Sequence, residues 1–340
     1  MKPSSENAEV QYSVVIPSYR GDSTLPVLLA SLLRQSIAFH KFEVIVVNDG
    51  GGNDKLLERI VQQYPSLRIT LLQLNENLGP AAARNEGIMV ARGNTIFFTD
   101  DDCEVPALWM ETHLAMYDAH PELSAVGGWN RPPLTEVRRN IFDTFITLRH
   151  DSLFRLYEVQ RSGRNARKSL VNQFPAINTA NLSVRRYVFN DVKFDPRLMC
   201  GREDVAFSEQ VRERGYEMMY IPQFVLHKKR MTLRKIIRTA YHRALGEYIY
   251  ATFDEASPLW YLGGRLRVKK KIHSVWRQEK LSLAAFLSLL CLNRLYSYFY
   301  TSHIMKFFYV FAYSRHRAAL ARWTRVQQGT RDYVERTSIF

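Results

Sequence analysis

Short apolar runs punctuate the first hundred residues at regular intervals. Tyr12-Ser13-Val14-Val15-Ile16-Pro17 is the first, Phe42-Glu43-Val44-Ile45-Val46-Val47 the second, Ile69-Thr70-Leu71-Leu72-Gln73-Leu74 the third and Ile96-Phe97-Phe98 the fourth. Their β-branched and aromatic content, bounded by Pro, Gly, Asn and Asp, predicts buried strands. The segments between them change period. Leu25, Leu28, Leu29 and Leu32 recur at helical spacing behind the capping candidates Asp22 and Ser23, predicting a helix to about Gln35. A second helix is expected over about 54–64, and a third opens at Pro80, runs through Ala91 and is closed by Gly93. Strands alternating with helices at this spacing predict an α/β fold with a doubly wound, mostly parallel sheet and helices on both faces.

The pattern continues less regularly. A helix is expected over 106–120, a strand at Ala125-Val126-Gly127-Gly128-Trp129, a helix from Glu203 to Arg214 stopped by Gly215, and helical residues over 232–250. Residues 1–11 form a polar tail without the apolar core of a signal peptide. Leu281 to Leu292 is an apolar run well short of the ~20 residues that span a bilayer. Asn293 and Arg294 interrupt it before the aromatic-rich stretch to Tyr313.

Charge and cysteine content narrow the setting. With 47 Lys and Arg against 33 Asp and Glu the chain carries a formal +14, an excess that attracts polyanions, anionic lipid or phosphorylated small molecules. Cys103, Cys200 and Cys291 are widely spaced and in no metal-ligand pattern, so neither a disulfide frame nor a zinc site is expected and a cytoplasmic setting fits. No helix-turn-helix, zinc or aromatic RNA-binding pattern is present, so nucleic acid is not an expected partner, and a basic nucleic-acid-binding protein is the alternative from outside enzymology.

Candidate chemistry sits at the strand ends. The fourth strand runs directly into Asp100-Asp101-Asp102, which reads either as a carboxylate set for a hard divalent cation at the ligand-binding edge of the sheet or as a solvated acidic loop and helix cap. Asp49, ahead of Gly50-Gly51-Gly52, can accept hydrogen bonds from a heterocycle or brace a turn. Arg84 lies near the positive end of its helix, suited to an anion or to the surface. Neither a dinucleotide fingerprint nor a P-loop is present.

Four segments taken together resemble the family 2 glycosyltransferases of the GT-A fold: Val14-Val15-Ile16-Pro17-Ser18-Tyr19, Glu43 to Gly50, Asn77-Leu78-Gly79-Pro80-Ala81-Ala82-Ala83-Arg84-Asn85, and Phe98-Thr99-Asp100-Asp101-Asp102. The resemblance extends to about residue 250 and implies a catalytic domain over 12–230, with a nucleotide-binding half (12–105) and an acceptor-binding half (106–230), followed by a helical, basic and aromatic region over 231–340. It implies a nucleotide-sugar donor, most often a UDP-sugar, Mn²⁺ or Mg²⁺, and inverting transfer to a hydroxyl of a glycan or lipid-linked glycan in polysaccharide or glycolipid synthesis. Pro17, Tyr19, Arg20 and Asp49 would line the base and ribose, with Arg84, Asp100 and Asp101 near the nucleotide. Asp102, Asp100 and His227 would hold the metal. Asn48 stands where many relatives carry another Asp.

The same resemblance makes Asp204 the general base and Glu203 its partner toward donor or acceptor hydroxyls, where a helix-capping role is the other reading of both. Gly128 and Trp129 would face the sugar, Trp129 by stacking or else as a core residue, and Asn178 and Asn181 would lie under the donor sugar and face the acceptor. The Gln-x-x-Arg-Trp element of membrane-embedded processive synthases is missing from Arg238 to Ala244, which implies addition of single sugars. A nucleotidyltransferase making a nucleotide-sugar is the nearest enzyme alternative, but it would need a glycine-rich phosphate loop that Pro17-Ser18-Tyr19-Arg20-Gly21 does not form. The basic run Arg161 to Lys168 reads as a solvated loop or a lid over the diphosphate. Basic and aromatic residues over 265–313 suit the cytoplasmic face of an anionic membrane, a helical pair packed on the domain or, less favoured by the hydropathy, a two-helix membrane hairpin.

Overall fold

The computed structural model describes residues 10–51, 54–133, 140–145, 147, 177–198, 201–228, 231–240, 242 and 283–301. The expected lid at Arg161 to Lys168 and the basic patch at 265–271 lie outside the described residues.

Eight strands form one sheet in the order β3-β2-β1-β4-β7-β6-β8-β5. The strands are β1 (Tyr12–Ser18), β2 (Phe42–Asn48), β3 (Ile69–Gln73), β4 (Thr95–Phe98), β5 (Cys103–Glu104), β6 (Leu123–Arg131), β7 (Leu182–Arg185) and β8 (Glu217–His227). β1 pairs in parallel with both β2 and β4, and β2 with β3. The chain therefore winds outward from β1 to β3 and then jumps back across to β4. That reversal opens a crevice between the carboxyl ends of β1 and β4, the place where open α/β sheets bind ligands.

The second half departs from a simple parallel winding. β7 runs antiparallel between β4 and β6, and the two-residue β5 runs antiparallel on the outer edge of β8. β6 and β8 pair in parallel, with irregularities between Leu123 and Ala125 and between Gly127 and Trp129. Bulges of this kind bend a ribbon and strengthen its twist. In strand order β5 is four places from β4, yet only residues 99–102 connect them. The bent β6–β8 ribbon thus brings its carboxyl end back over the loop that leaves β4.

Helices cover both faces. Leu25, Leu28, Leu29 and Leu32 of α1 (Leu25–Leu32), Leu57 and Ile60 of α2 (Asp54–Gln62), and Trp109 and Met110 of α4 (Trp109–Ala119) pack with Val14, Ile16, Val44 and Val46 on one face. Ala81 and Ala83 of α3 (Pro80–Val90) and Phe207 and Val211 of α5 (Glu203–Glu213) pack with Val15, Ile45, Val47, Ile96 and Phe98 on the other. The alternation of faces along β1 and β2 is the period of a strand buried on both sides.

A separate apolar cluster joins Phe145, Met231, Ile236 and Ala240 to Leu289, Leu292 and Tyr296 of α6 (Leu283–Thr301). Asn293 and Arg294, which interrupt the apolar run, lie inside one continuous helix, with Asn293 buried. Among the described residues no helix is long and apolar enough to cross a membrane.

Candidate active site

The three consecutive acids beyond β4 leave in three directions. Asp100 Oδ1 accepts a hydrogen bond from Arg84 Nη2 at 3.0 Å, and Asp101 Oδ2 accepts one from Ser18 Oγ at 2.7 Å, tying the loop to the end of β1. Gly21 is required beside that bond, because a Cβ there would stand 1.9 Å from Asp101 Oδ2. Asp102 Oδ1 lies 3.1 Å from His227 Nε2. The pairing of Cys103 with His227, and the Lys228 N–H donated to the Asp102 carbonyl at 2.7 Å, put the histidine there.

Asp100, Asp102 and His227 each offer a ligand atom, all within 4.8 Å of one another. Two carboxylate oxygens and one imidazole nitrogen suit Mn²⁺, and the oxygens alone suit Mg²⁺. Lys228 does not stand free at this edge: its Nζ lies 2.6 Å from Glu104 Oε2, and with Arg34 it holds the Glu104 carboxyl below its ordinary range. Buried Cys103, under Asp100 and Asp102, has its thiol pushed well up by burial and by those two charges, which leaves it unreactive.

On the β1–β2 side, Pro17 is half-buried in β1 opposite Val47, and Tyr19 is exposed with its ring against Gly51, where a Cβ would meet it at 2.0 Å. Arg20, at φ 58°, carries its guanidinium 5.3 Å from the Tyr19 ring centre. Asp49 is 3% exposed. Its two oxygens accept the N–H groups of Leu78 at 2.7 Å and Gly79 at 2.9 Å, so it braces the turn that starts α3. Burial raises its carboxyl to about 6 against the pull of those two bonds. Asn48 joins β2 to Gln73 of β3 and Asp54 of α2, at 2.9 and 2.7 Å.

The opposite wall is the start of α5. The chain enters it through Gly201 at φ 119° and Arg202 at φ 76°, both left-handed. Glu203 is buried and accepts Arg84 Nη1 at 3.2 Å, whereas Asp204 is half-buried with Oδ1 accepting its neighbour's Val205 N–H at 2.8 Å. Burial and the nearby Asp204 charge raise the Glu203 carboxyl, and Arg84 opposes them.

The residues expected to meet the sugar are placed less directly. Trp129 is buried edge-on to Tyr220 at 5.8 Å, in a core position. Gly128 makes room for protein, since a Cβ would stand 2.2 Å from Asn181 Nδ2. Asn178 Oδ1 accepts the Ala180 N–H at 2.9 Å, capping a short turn, while Asn181 is fully buried. Asn181 Nδ2 donates to the carbonyls of Trp129 and Gln223, and Oδ1 bonds Trp109 Nε1 and His113 Nε2. Every polar position of Asn181 is thus spent inside the protein. His113, lowered to about 4 by burial, is neutral; its Nε2 carries the proton toward Asn181 and its Nδ1 faces Ser183 Oγ at 2.9 Å. Neither this network nor the Arg84–Glu203 contact was visible from sequence, because both join segments far apart in the chain.

Residues 13–193 match the family model Glycosyl transferase family 2. The chain belongs to this family. Among curated family members, the glycosyltransferase AglE of Haloferax volcanii is 26% identical over 216 residues, covering 61% of this chain and 63% of AglE. The amylovoran biosynthesis glycosyltransferase AmsB of Erwinia amylovora is 35% identical over 98 residues, 28% of this chain and 32% of AmsB. The matches therefore span about a third to just under two thirds of these relatives. The mannosyltransferase PcManGT of Pyrobaculum calidifontis, solved with GDP-Man and Mn²⁺, superposes with a TM-score of 0.54 at 19% identity over 95% of this chain and 90% of its own. The fold is the GT-A fold expected from the sequence. Asp100 and Asp102 lie within the matched segment, while Glu203, Asp204 and His227 lie beyond it.

Proposed function

We propose that this family 2 member is a metal-dependent, inverting glycosyltransferase that moves one sugar from a nucleotide-sugar, a UDP-sugar in the first instance, to an acceptor hydroxyl. The observation that carries this is the convergence of Asp100, Asp102 and His227 at the sheet edge, with Glu203 joined to Asp100 through Arg84. The crevice between β1 and β4 takes the nucleotide, bordered by Pro17, Tyr19 and Arg20 and shaped from beneath by Asp49. Asp102, Asp100 and His227 would hold a divalent cation, which supplies Lewis-acid neutralisation of the diphosphate when bound.

We assign the proton-accepting role to Asp204, which is half-buried in the first turn of α5. As the acceptor oxygen bonds to the anomeric carbon, its proton passes to Asp204 and the bond from that carbon to the diphosphate oxygen breaks with its electron pair on the leaving group. Attack from the side opposite the leaving group inverts the centre. Glu203, held by Arg84, fixes the position of Asp204. We place the acceptor among glycans or lipid-linked glycans at the cytoplasmic face of a membrane. The exposed row Leu287, Arg294 and Tyr298 of α6 supports contact with an anionic surface.

The deciding experiment is a thermal-shift panel of UDP-, GDP- and dTDP-sugars with and without Mn²⁺, since a ligand that binds the folded state raises its melting point. One donor should stabilise the chain only with metal and be turned over with release of its nucleoside diphosphate. A chain indifferent to every sugar nucleotide, with and without Mn²⁺, would sink the proposal.

A further inference from the structure

We infer that Arg84 is a positioning residue: it ties the base-bearing end of α5 to the acidic end of β4, acting through Glu203 and Asp100 and not by touching the donor. The inference rests on the glycosyltransferase reading above. The Arg84 side chain is 3% exposed, and its two terminal nitrogens are divided between carboxylates on different elements, Nη2 on Asp100 at 3.0 Å and Nη1 on Glu203 at 3.2 Å. A guanidinium aimed at a ligand would turn its fork to the cleft; this one is used within the protein.

A second layer repeats the same connection in apolar form. Phe98 ends β4 two residues before Asp100 and packs on the face that α3 and α5 cover, and Phe207 lies one helical turn after Glu203, on the same face of α5. Phe194 packs between them, with ring centres 5.4 Å from Phe98 and 4.4 Å from Phe207. Arg84 stands over Phe194, its guanidinium carbon 5.6 Å from the ring centre. The next residue, Asn85, fixes the Phe194 backbone by bonds to its carbonyl at 2.8 Å and from its N–H at 3.1 Å. α3 therefore holds the donor edge and the base helix at one separation by two stacked clamps, one aromatic and one charged. Only the charged layer reaches the cleft, and it sets where the first turn of α5 stands. A one-ångström error there is enough to cost a large factor in turnover.

The test separates a positioning residue from a nucleotide contact. Arg84→Met, Arg84→Lys and Glu203→Gln are compared for nucleoside diphosphate affinity with Mn²⁺ by calorimetry and for kcat and KM of transfer. Arg84→Met should keep nucleotide affinity within about threefold and lose about a hundredfold in kcat, with Arg84→Lys recovering about tenfold of that. In the Arg84→Met background, Glu203→Gln should cost much less than it does alone, because the pair acts as a unit, and in the Arg84→Lys background, which keeps part of the pair, the saving should be smaller but still present. The Lys and Gln variants preserve volume, so the cycle stands if Arg84→Met does not fold. Nucleotide affinity falling in step with kcat, or additive effects in the cycle, would overturn the inference and leave the proposed function standing. An inactive wild-type chain that also ignores sugar nucleotides would overturn both.

Discussion

The loop of Asp100, Asp101 and Asp102 is a case in which identical side chains acquire different work from their surroundings. Asp101 is held by Ser18 against the end of β1, Asp100 by Arg84 from α3, and Asp102 faces His227 from β8. The type of residue and its place after a strand were legible in the sequence; the partners were not, since they come from 83, 16 and 125 positions away. Asp102→Ala is expected to abolish the Mn²⁺ dependence of donor binding, and Asp204→Asn to keep that binding within a few-fold while removing transfer. Calorimetry and a diphosphate-release assay check the two, and retained turnover in the Asp204 variant would take that residue out of the base role.

Asp49 yields a prediction of another kind. Its folded carboxyl titrates at about 6 against an ordinary value of 3.8, so the folded chain holds that proton more tightly than the unfolded one. Its contribution to stability is then fully present below pH ~4 and is lost as pH rises to about 6. The melting temperature of the wild type relative to Asp49→Asn should fall across that window and stay level above it; an offset independent of pH would show that Asp49 ionises normally.

At the scale of elements, periodicity located the strands and helices because burial on both faces leaves few polar positions in β1, β2 and β4. The antiparallel β7 and the two-residue β5 escaped it, since direction depends on what the chain does between strands and two residues carry no period. The partners of the residues expected near the sugar were hidden for a related reason. Asn181 and Gly128 look like site residues in one dimension, but β6, β8 and the turn before β7 pack closely enough to use them up. The entry to α5 is the element most sensitive to change. Gly201→Ala meets nothing within 4 Å among the described residues, only the left-handed backbone at φ 119°. A cost of about 1–2 kcal/mol is expected, with kcat falling more than nucleotide affinity as the first turn of α5 moves. Equal stability of the variant and wild type by chemical denaturation would show that the turn relaxes freely.

For the molecule as a whole, the +14 charge and the exposed row of α6 lead to one further expectation. The full chain should co-sediment with vesicles containing anionic lipid and be released by salt, each basic residue near the surface contributing on the order of 1 kcal/mol; no sedimentation at low salt would remove the membrane from the proposal. The strap formed by residues 99–102 reaches from the middle of the sheet to its far border, and its length sets the register in which Cys103 meets His227. Losing one codon there would not trim a surface loop. It would pull one of the two remaining acids out of its place towards the position Asp101 held beside Ser18, so deletion of Asp101 should weaken Mn²⁺ binding far more than Asp101→Ala, although both remove the same carboxylate.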